Sequence, residues 1–242
     1  MVKVLWGVTG AGHWMRESAS IFEKVASRTK VTVIMTRNGY EIAKLYGVLD
    51  VFKKYTGGYY SELEVDPNPL SHIYGRVLSK KYELFVLAPL SANTANKIAD
   101  GIADNLVTTA AAMARKAGVT TILLPTDAPW VKETALPCTV HDNCVNCSVC
   151  PPQETCPTKA IVDGISKKRI LLDRCIGCEL CVTKCPYEAI NCFEKVEINV
   201  HWLEVEKLKV LEKFESFIIV RSPEELSRII NEYLDVALNE GA

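Results

Sequence analysis

Short apolar runs separated by helix-length stretches set the grammar of this chain. Lys3-Val4-Leu5-Trp6-Gly7 is a short strand running into a glycine-bearing turn, and the stretch from about Trp14 to Ser27 reads as a helix. Val31 to Met35 is β-branched and strand-like, and it stops at Thr36-Arg37-Asn38-Gly39. Glu83 to Ala88 reads as a third buried strand, Asn93 to Lys116 as one or two helices, and Val119 to Leu124 as a fourth strand. Apolar strands alternating with helices predict an α/β fold built on a doubly wound parallel sheet. Lys53 to Pro69, with Gly57-Gly58 and two prolines, reads as a loop.

A cysteine-rich segment interrupts this pattern, and the strand-helix grammar resumes after it. Phe217 to Val220 is a strand, and Ser222-Pro223-Glu224-Glu225 is a helix start with a capping serine, a first-turn proline and a box-closing glutamate. Leu226, Ile229, Ile230, Tyr233 and Leu234 follow at helical spacing. The organisation read from this is an α/β domain over 1–137, an inserted small domain over 138–202, and a final helix-strand-helix over 203–242. A tandem order with an independent tail is the alternative, but a lone strand-helix pair cannot bury its own apolar face. The charged stretch Glu204 to Glu215 reads as one solvated helix.

Composition narrows the class. Hydrophobic residues make up 48% of the 242 and charged residues 24%, values of an ordinary globular protein that exclude a disordered or fibrous chain. Twenty-eight basic against 29 acidic residues give a net charge of -1, so no nucleic-acid partner is expected. Apolar runs such as Leu84 to Leu90 fall far short of a membrane span, and the first residues lack the pattern of a signal peptide. The expectation is a cytoplasmic protein with no membrane partner. All ten cysteines lie between Cys138 and Cys192. In a reducing compartment such a concentration points to metal ligation and disfavours disulfides.

The spacing defines the metal chemistry. Cys144-x2-Cys147-x2-Cys150-x5-Cys156-Pro157 is followed by Cys175-x2-Cys178-x2-Cys181-x3-Cys185-Pro186, and the second run has the bacterial ferredoxin spacing. Cys156-Pro157-Thr158-Lys159-Ala160-Ile161 matches Cys185-Pro186-Tyr187-Glu188-Ala189-Ile190, so the unit is duplicated. Three thiolates spaced in this way wrap one face of an iron-sulfur cube, and in two-cluster ferredoxins the fourth comes from the other repeat. Two [4Fe-4S] clusters are therefore expected, one on Cys144, Cys147, Cys150 and Cys185, the other on Cys175, Cys178, Cys181 and Cys156. The longer x5 gap is accommodated by Pro151-Pro152 as a local bulge. Zinc also uses CxxC pairs, but pairs rather than triples closed by Cys-Pro. Cys138 and Cys192 are left over, each read as a small buried residue rather than a ligand.

From Pro89 the sequence Pro-Leu-Ser-Ala-Asn-Thr, followed by Gly101-Ile102-Ala103-Asp104-Asn105-Leu106, resembles the homo-oligomeric flavin-containing cysteine decarboxylase family, flavoproteins of Rossmann/flavodoxin-like architecture. Gly7-Val8-Thr9-Gly10 after strand one, Thr36 after strand two and His72-Ile73 before the third main strand strengthen the likeness. With the ferredoxin insertion, the whole chain resembles archaeal iron-sulfur flavoproteins of the dihydromethanopterin reductase type. The resemblance implies FMN held by Gly7, Thr9, Gly10, Ala11, Thr36, Arg37, Ser91, Ala92, Asn93, Thr94, Lys97, Ala103, Asp104 and Asn105, with His72 as the catalytic residue. The residue types suit that role: glycines let backbone N–H groups approach an anion at a helix start, and hydroxyls after a buried strand lie where ligands bind in such sheets. Thr36 and Arg37 stand where a ribose-binding acid would mark a dinucleotide. One departure matters, because the family's Pro-x-Met-Asn after strand four is here Pro125-Thr126-Asp127-Ala128, which argues against cysteine decarboxylation. Trp6, Trp14, Trp130 and Trp202 receive no role.

The expected activity is an FMN-dependent oxidoreductase that accepts electrons from ferredoxin or another one-electron donor through two [4Fe-4S] clusters. By resemblance its acceptor is a small pterin such as dihydromethanopterin, and its assembly a homo-oligomer built from trimers. A pure electron carrier between ferredoxin and another flavoprotein is the alternative, and a flavin-dependent lyase a more distant one.

Overall fold

The computed structural model describes residues 1–240. Six parallel strands form the central sheet: β1 (Lys3–Val8), β2 (Lys30–Met35), β3 (Leu63–Val65), β4 (Leu84–Leu90), β5 (Thr121–Pro125), and a last strand at Phe217–Ile219. The order across the sheet is Phe217–Ile219, β5, β4, β1, β2, β3, the doubly wound order with its switch point between β1 and β4. Strand residues alternate between two cores. Val4, Trp6 and Val8 pack with Phe22 of α1 (Met15–Ala26) and with Leu226 and Ile230 of the closing helix, while Leu5, Phe85 and Leu87 pack with α4 (Ile73–Leu78) and α6 (Leu106–Ala117) on the other face. Burial on both faces explains why the strands read as continuous apolar runs.

The last strand pairs in parallel with β5, Phe217 opposite Thr121, so the chain leaves the sheet after β5 and returns to its edge. The excursion begins on a stem of paired antiparallel strands, β6 (Glu133–Ala135) with Lys195–Glu197 and β7 (Thr139–Val140) with Ile190–Asn191. Beyond the stem lie α7 (Pro151–Thr155), the hairpin β8 (Ile161–Val162) and β9 (Arg169–Ile170), and α8 (Leu180–Lys184). In chain order the remaining elements are β10 (Ile190–Asn191), β11 (Lys195–Glu197), α9 (Trp202–Leu211), β12 (Phe217–Ile219) and α10 (Pro223–Glu240). Pro151 and Pro152 open α7, which takes up the longer gap of the first cysteine run.

Three expectations are corrected. The segment Lys53 to Pro69 is not all loop, because Leu63–Val65 pairs with β2 as the sheet's edge strand. Three half-buried residues with Glu64 at their centre carry no readable alternation. The charged stretch after residue 203 is not a solvated helix: α9 buries Leu208 and Leu211 in the second core, docks along α5 (Ala92–Ala99), and its Lys207 Nζ reaches Asp100 at 2.5 Å. Finally, Cys138 and Cys192 are disulfide-bonded, against the expectation that this pair stays as separate small residues. The stem places them opposite one another. Leu136 N–H donates to Glu194 O and His141 N–H to Ala189 O, both at 2.8 Å, and between those bonds residue 138 falls opposite 192, with their Cα atoms 3.8 Å apart.

Candidate functional site

The glycine turn, the second strand's end and the Ser-Ala-Asn-Thr loop converge on the carboxyl edge of the sheet. Thr9, fully buried, is the knot: its hydroxyl donates to Pro89 O at 2.8 Å and accepts from Ser91 N–H at 2.7 Å. Thr36 N–H donates to Val8 O at 3.1 Å, so the β1 and β2 loops share the same corner. Gly10 lies against Asn38 in the first turn of α2 (Arg37–Leu45). Three helices begin there, at Met15, Arg37 and Ala92, and their positive ends favour an anion. A corner of this kind fits the phosphate of a mononucleotide.

Not every predicted residue faces that corner. Gly7 lies within β1, paired with Ile34 and Leu87, and a side chain there would strike Leu87, so sheet packing accounts for this glycine. The Thr36 hydroxyl accepts from Gly39 N–H at 2.9 Å as a helix cap, and Arg37 is exposed on the first turn. Ser91 is the N-cap of α5 without a side-chain cap bond, its hydroxyl 3.2 Å from that of buried Thr94; Ala92 and Asn93 open the first turn. Lys97 pairs with Asp104 at 2.7 Å, tying α5 to the loop that holds Ala103. Asn105 caps α6 through a reciprocal box with Thr108. Ala11, nearly buried, donates its N–H to Thr9 O at 2.8 Å.

Asp104, Asn105 and Tyr74 line a cleft with Asp66 and Asn68, and Leu106 N–H donates to Asp66 at 2.8 Å. His72 stands beside this cleft's loop but does not line it. Its side chain is half-exposed, Nδ1 3.6 Å from Glu64 and Nε2 3.9 Å from Glu62.

Two features escaped the sequence reading. Asp127 accepts from Ala92 N–H at 3.1 Å and from the Thr126 hydroxyl at 2.8 Å, so the departure from Pro-x-Met-Asn locks the β5 loop onto the start of α5. A second cleft of about 500 Å³ lies between the glycine turn and the insertion's stem, bordered by Gly12, His13, Trp14, Tyr46, Glu133 and Phe193. Burial drives the His13 imidazole below its ordinary value, opposed by Glu17, Glu133 and Asp127, and burial pushes the Tyr46 hydroxyl up to about 12. No single-residue motif marks this cleft, since its walls come from segments far apart in the chain.

The insertion carries two cysteine-lined cavities. Cys144, Cys147 and Cys150 surround one together with Cys185, and Cys175, Cys178 and Cys181 surround the other together with Cys156. The two halves repeat in backbone detail. Asn146 and Gly177, each two residues past the first cysteine, have φ of 49° and 59°, and Lys159 and Glu188, each three past the Cys-Pro cysteine, have 52° and 50°. Those last turns aim Ala160 N–H at Cys156 Sγ (3.3 Å) and Ala189 N–H at Cys185 Sγ (3.4 Å). Four sulfurs, apolar walls of Ile161, Ile170 and Ile176, and backbone donors to sulfur fit a thiolate-held iron-sulfur cluster. Burial pushes the Cys181 thiol up to about 11 and raises Cys175 and Cys150, so loading a cluster on these residues would release their protons.

The cavity of the second run abuts the flavoprotein part. Gly177 and Gly47 meet backbone to backbone, with φ of 59° and 72°, and a side chain on Gly177 would strike the Leu45 carbonyl. Glu179, at that cavity's wall, pairs with Arg16 at 2.9 Å, and Lys44 Nζ donates to Asp173 O at 3.1 Å.

A doubly wound sheet with a mononucleotide corner, joined to a duplicated thiolate site, defines the class of iron-sulfur flavoproteins. The Flavoprotein family profile matches residues 1–137, and the 4Fe-4S binding domain profile matches residues 169–191. Over 233 residues the chain is 31% identical to dihydromethanopterin reductase (acceptor) of Methanosarcina mazei, covering 93% of this chain and 97% of that one. Over 238 residues it is 34% identical to the enzyme of the same name from Methanocaldococcus jannaschii, covering 95% and 96%. The fold matches the crystal structure of Burkholderia xenovorans DmrB in complex with FMN, described as a cubic protein cage for redox transfer, with a TM-score of 0.63 at 22% identity over 98% of this chain and 97% of that one. The chain belongs to the flavoprotein family and, along nearly its whole length, to the family of dihydromethanopterin reductases (acceptor). Among the described residues no helix is long and apolar enough to cross a membrane.

Proposed function

We propose that this chain is an FMN-dependent oxidoreductase that takes electrons singly from ferredoxin or a similar cytoplasmic donor and delivers them in pairs to a dihydropterin such as dihydromethanopterin. When bound, two [4Fe-4S] clusters supply one-electron steps and FMN the two-electron step. The observation that carries the reading is the docking of the second cysteine cavity on the flavoprotein part, Gly177 against the end of α2 and Glu179 against Arg16 in the first turn of α1. Cys144, Cys147, Cys150 and Cys185 hold one cluster, and Cys175, Cys178, Cys181 and Cys156 the other, each taking its fourth thiolate from the opposite repeat. The Thr9-tied corner, with Gly10, Ala11, Ser91, Ala92, Asn93 and Thr94, seats the phosphate end of FMN, and Lys97, Asp104 and Asn105 border its outer loops. His72, half-exposed with Glu64 at 3.6 Å and Glu62 at 3.9 Å, stands beside that edge as the candidate catalytic residue.

The assembly is read as a homo-oligomer built from trimers. The relative from Burkholderia xenovorans is described as a cage. On this chain Leu70 is 93% exposed beside the cleft of Asp66 and Asn105, an apolar side chain suited to a subunit contact. Iron and sulfide analysis of anaerobically purified protein tests the cluster count, with about eight of each per chain expected for two cubes. Stoichiometric zinc without sulfide would overturn it. Cys185→Ser should damage the cluster of Cys144, Cys147 and Cys150, and spectroscopic loss of the other cluster would refute the crossed assignment.

A further inference from the structure

The Cys138–Cys192 pair is not explained by the proposed reaction, and its surroundings single it out. Cys138 is buried at 3% exposure and lines the same cavity as Cys156, Cys175, Cys178 and Cys181. The sulfurs of Cys138, Cys192 and Cys181 all lie within 4.8 Å of one another, so the pair touches a thiol assigned to the second cluster. On its other side the pair adjoins the flavoprotein part. Phe193, next to Cys192, packs on Tyr46 with ring centroids 5.2 Å apart and lies under the Arg16 guanidinium at 4.5 Å. On the facing strand Ala135 O accepts from the Tyr46 hydroxyl at 2.5 Å.

A purely mechanical staple is redundant here. The stem already carries two antiparallel ladders and the flanking bonds from Leu136 to Glu194 and from His141 to Ala189. None of the other eight cysteines, all placed as cluster ligands, is disulfide-bonded, and where a mesophilic cytosol keeps thiols reduced a disulfide is usually transient, catalytic or redox-sensing.

We propose that Cys138 and Cys192 form a redox-active disulfide/dithiol couple charged from the iron-sulfur site that includes Cys181. The S–S bond breaks as two electrons arrive one at a time from a one-electron donor by way of that site, and each sulfur takes one proton from solvent, giving two thiols. Reoxidation would close the S–S bond again as a two-electron acceptor such as the oxidised flavin takes both electrons, with both protons leaving to solvent. The couple adds a third redox group between the clusters and the flavin edge, and its state reports whether the second cluster has been charged. The inference rests on the reading of Cys156, Cys175, Cys178 and Cys181 as cluster ligands.

The test uses the full-length holoprotein, purified without oxygen, its iron and sulfide measured first. Samples oxidised or reduced with titanium(III) citrate are quenched in denaturant with N-ethylmaleimide, and peptide mass spectrometry scores Cys138 and Cys192. Both should be unmodified and joined before reduction and alkylated together after it. A reductive titration should consume two electron equivalents per chain more than Cys138→Ser/Cys192→Ser of equal iron content. In Cys156→Ser, which lacks the second cluster, the pair should fail to gain its two alkylated thiols on the timescale of the parent. A pair found as thiols in every state, or joined while the clusters are reduced, or equal electron uptake at full iron content, would overturn the couple alone. Reduction of the pair at the parent rate in Cys156→Ser would overturn its charging through the cluster. Missing iron and sulfide in the parent would overturn the cluster reading and this inference together.

Discussion

At the scale of single residues, the site depends on groups that join loops rather than on groups that point at a ligand. Thr9 satisfies Pro89 O and Ser91 N–H with one buried hydroxyl. Replacing it with isosteric valine leaves Ser91 N–H unpaired, while Pro89 O keeps the Thr9 N–H at 3.2 Å, so Thr9→Val should cost about 1–3 kcal/mol of stability. It should also lower FMN content, and thermal unfolding with flavin extraction checks both. His13 gives a pH signature. Its folded value is depressed by burial below the ordinary 6.5, so the neutral imidazole is the form the fold accepts. Its contribution is fully present above 6.5 and is lost as pH falls from there through the folded value. Unfolding midpoints should therefore decline as pH falls below the ordinary 6.5, and His13→Asn should flatten the decline. An unchanged slope in that variant would show that the imidazole is not the group responsible. The Ser-Ala-Asn-Thr loop and the eight cysteines of the two runs were legible because their chemistry is local in sequence. Asp127, His13 and the Cys138–Cys192 bond were not, since each acquires its role from a partner in another segment, 35 residues away for Asp127 and Ala92 and 54 for the two cysteines.

At the scale of elements, strong periodicity was readable and marginal burial was not. The strands β1, β2, β4 and β5 announce themselves because each buries most of its apolar positions, and the closing helix α10 because buried Leu226, Ile230 and Leu234 recur at helical spacing. The edge strand β3 has one neighbour and three half-buried residues, so nothing in its composition separates it from a loop. The amphipathic character of α9 rests on Leu208 and Leu211 alone and is masked by the charges around them. The junction between the two parts is equally invisible in sequence, because it rests on backbone contact. Gly177→Ala puts a side chain in the left-handed region, a cost of roughly 1–2 kcal/mol, and drives it into the Leu45 carbonyl. It should loosen the insertion from the corner without removing a cysteine. Flavin reduction by a one-electron donor should slow while iron and sulfide stay at parent levels, as read by stopped-flow absorbance against metal analysis. Loss of iron in proportion to rate would mean the substitution acts on the cluster itself.

At the scale of the molecule, the doubly wound sheet followed from the alternation of strands and helices, and the return of the chain after the cysteines followed from a final strand that needed a sheet to join. That strand lies beside β5, which places both ends of the insertion at one side of the sheet. The stem rises next to the glycine-turn corner, so under the proposed function electron entry and the flavin would share one edge. Breaking the input should separate the two. In Cys178→Ser, one-electron reduction of the flavin should slow sharply, whereas chemically pre-reduced flavin should still be reoxidised by acceptor. The central claim, that this chain reduces a dihydropterin, is tested most directly by anaerobic single turnover. The protein is reduced stoichiometrically, mixed with dihydromethanopterin, and followed through flavin absorbance and product. Rapid flavin reoxidation with formation of the tetrahydro product is the predicted result. Flavin that stays reduced with the pterin yet is promptly reoxidised by oxidised ferredoxin would contradict the account and identify an electron carrier instead.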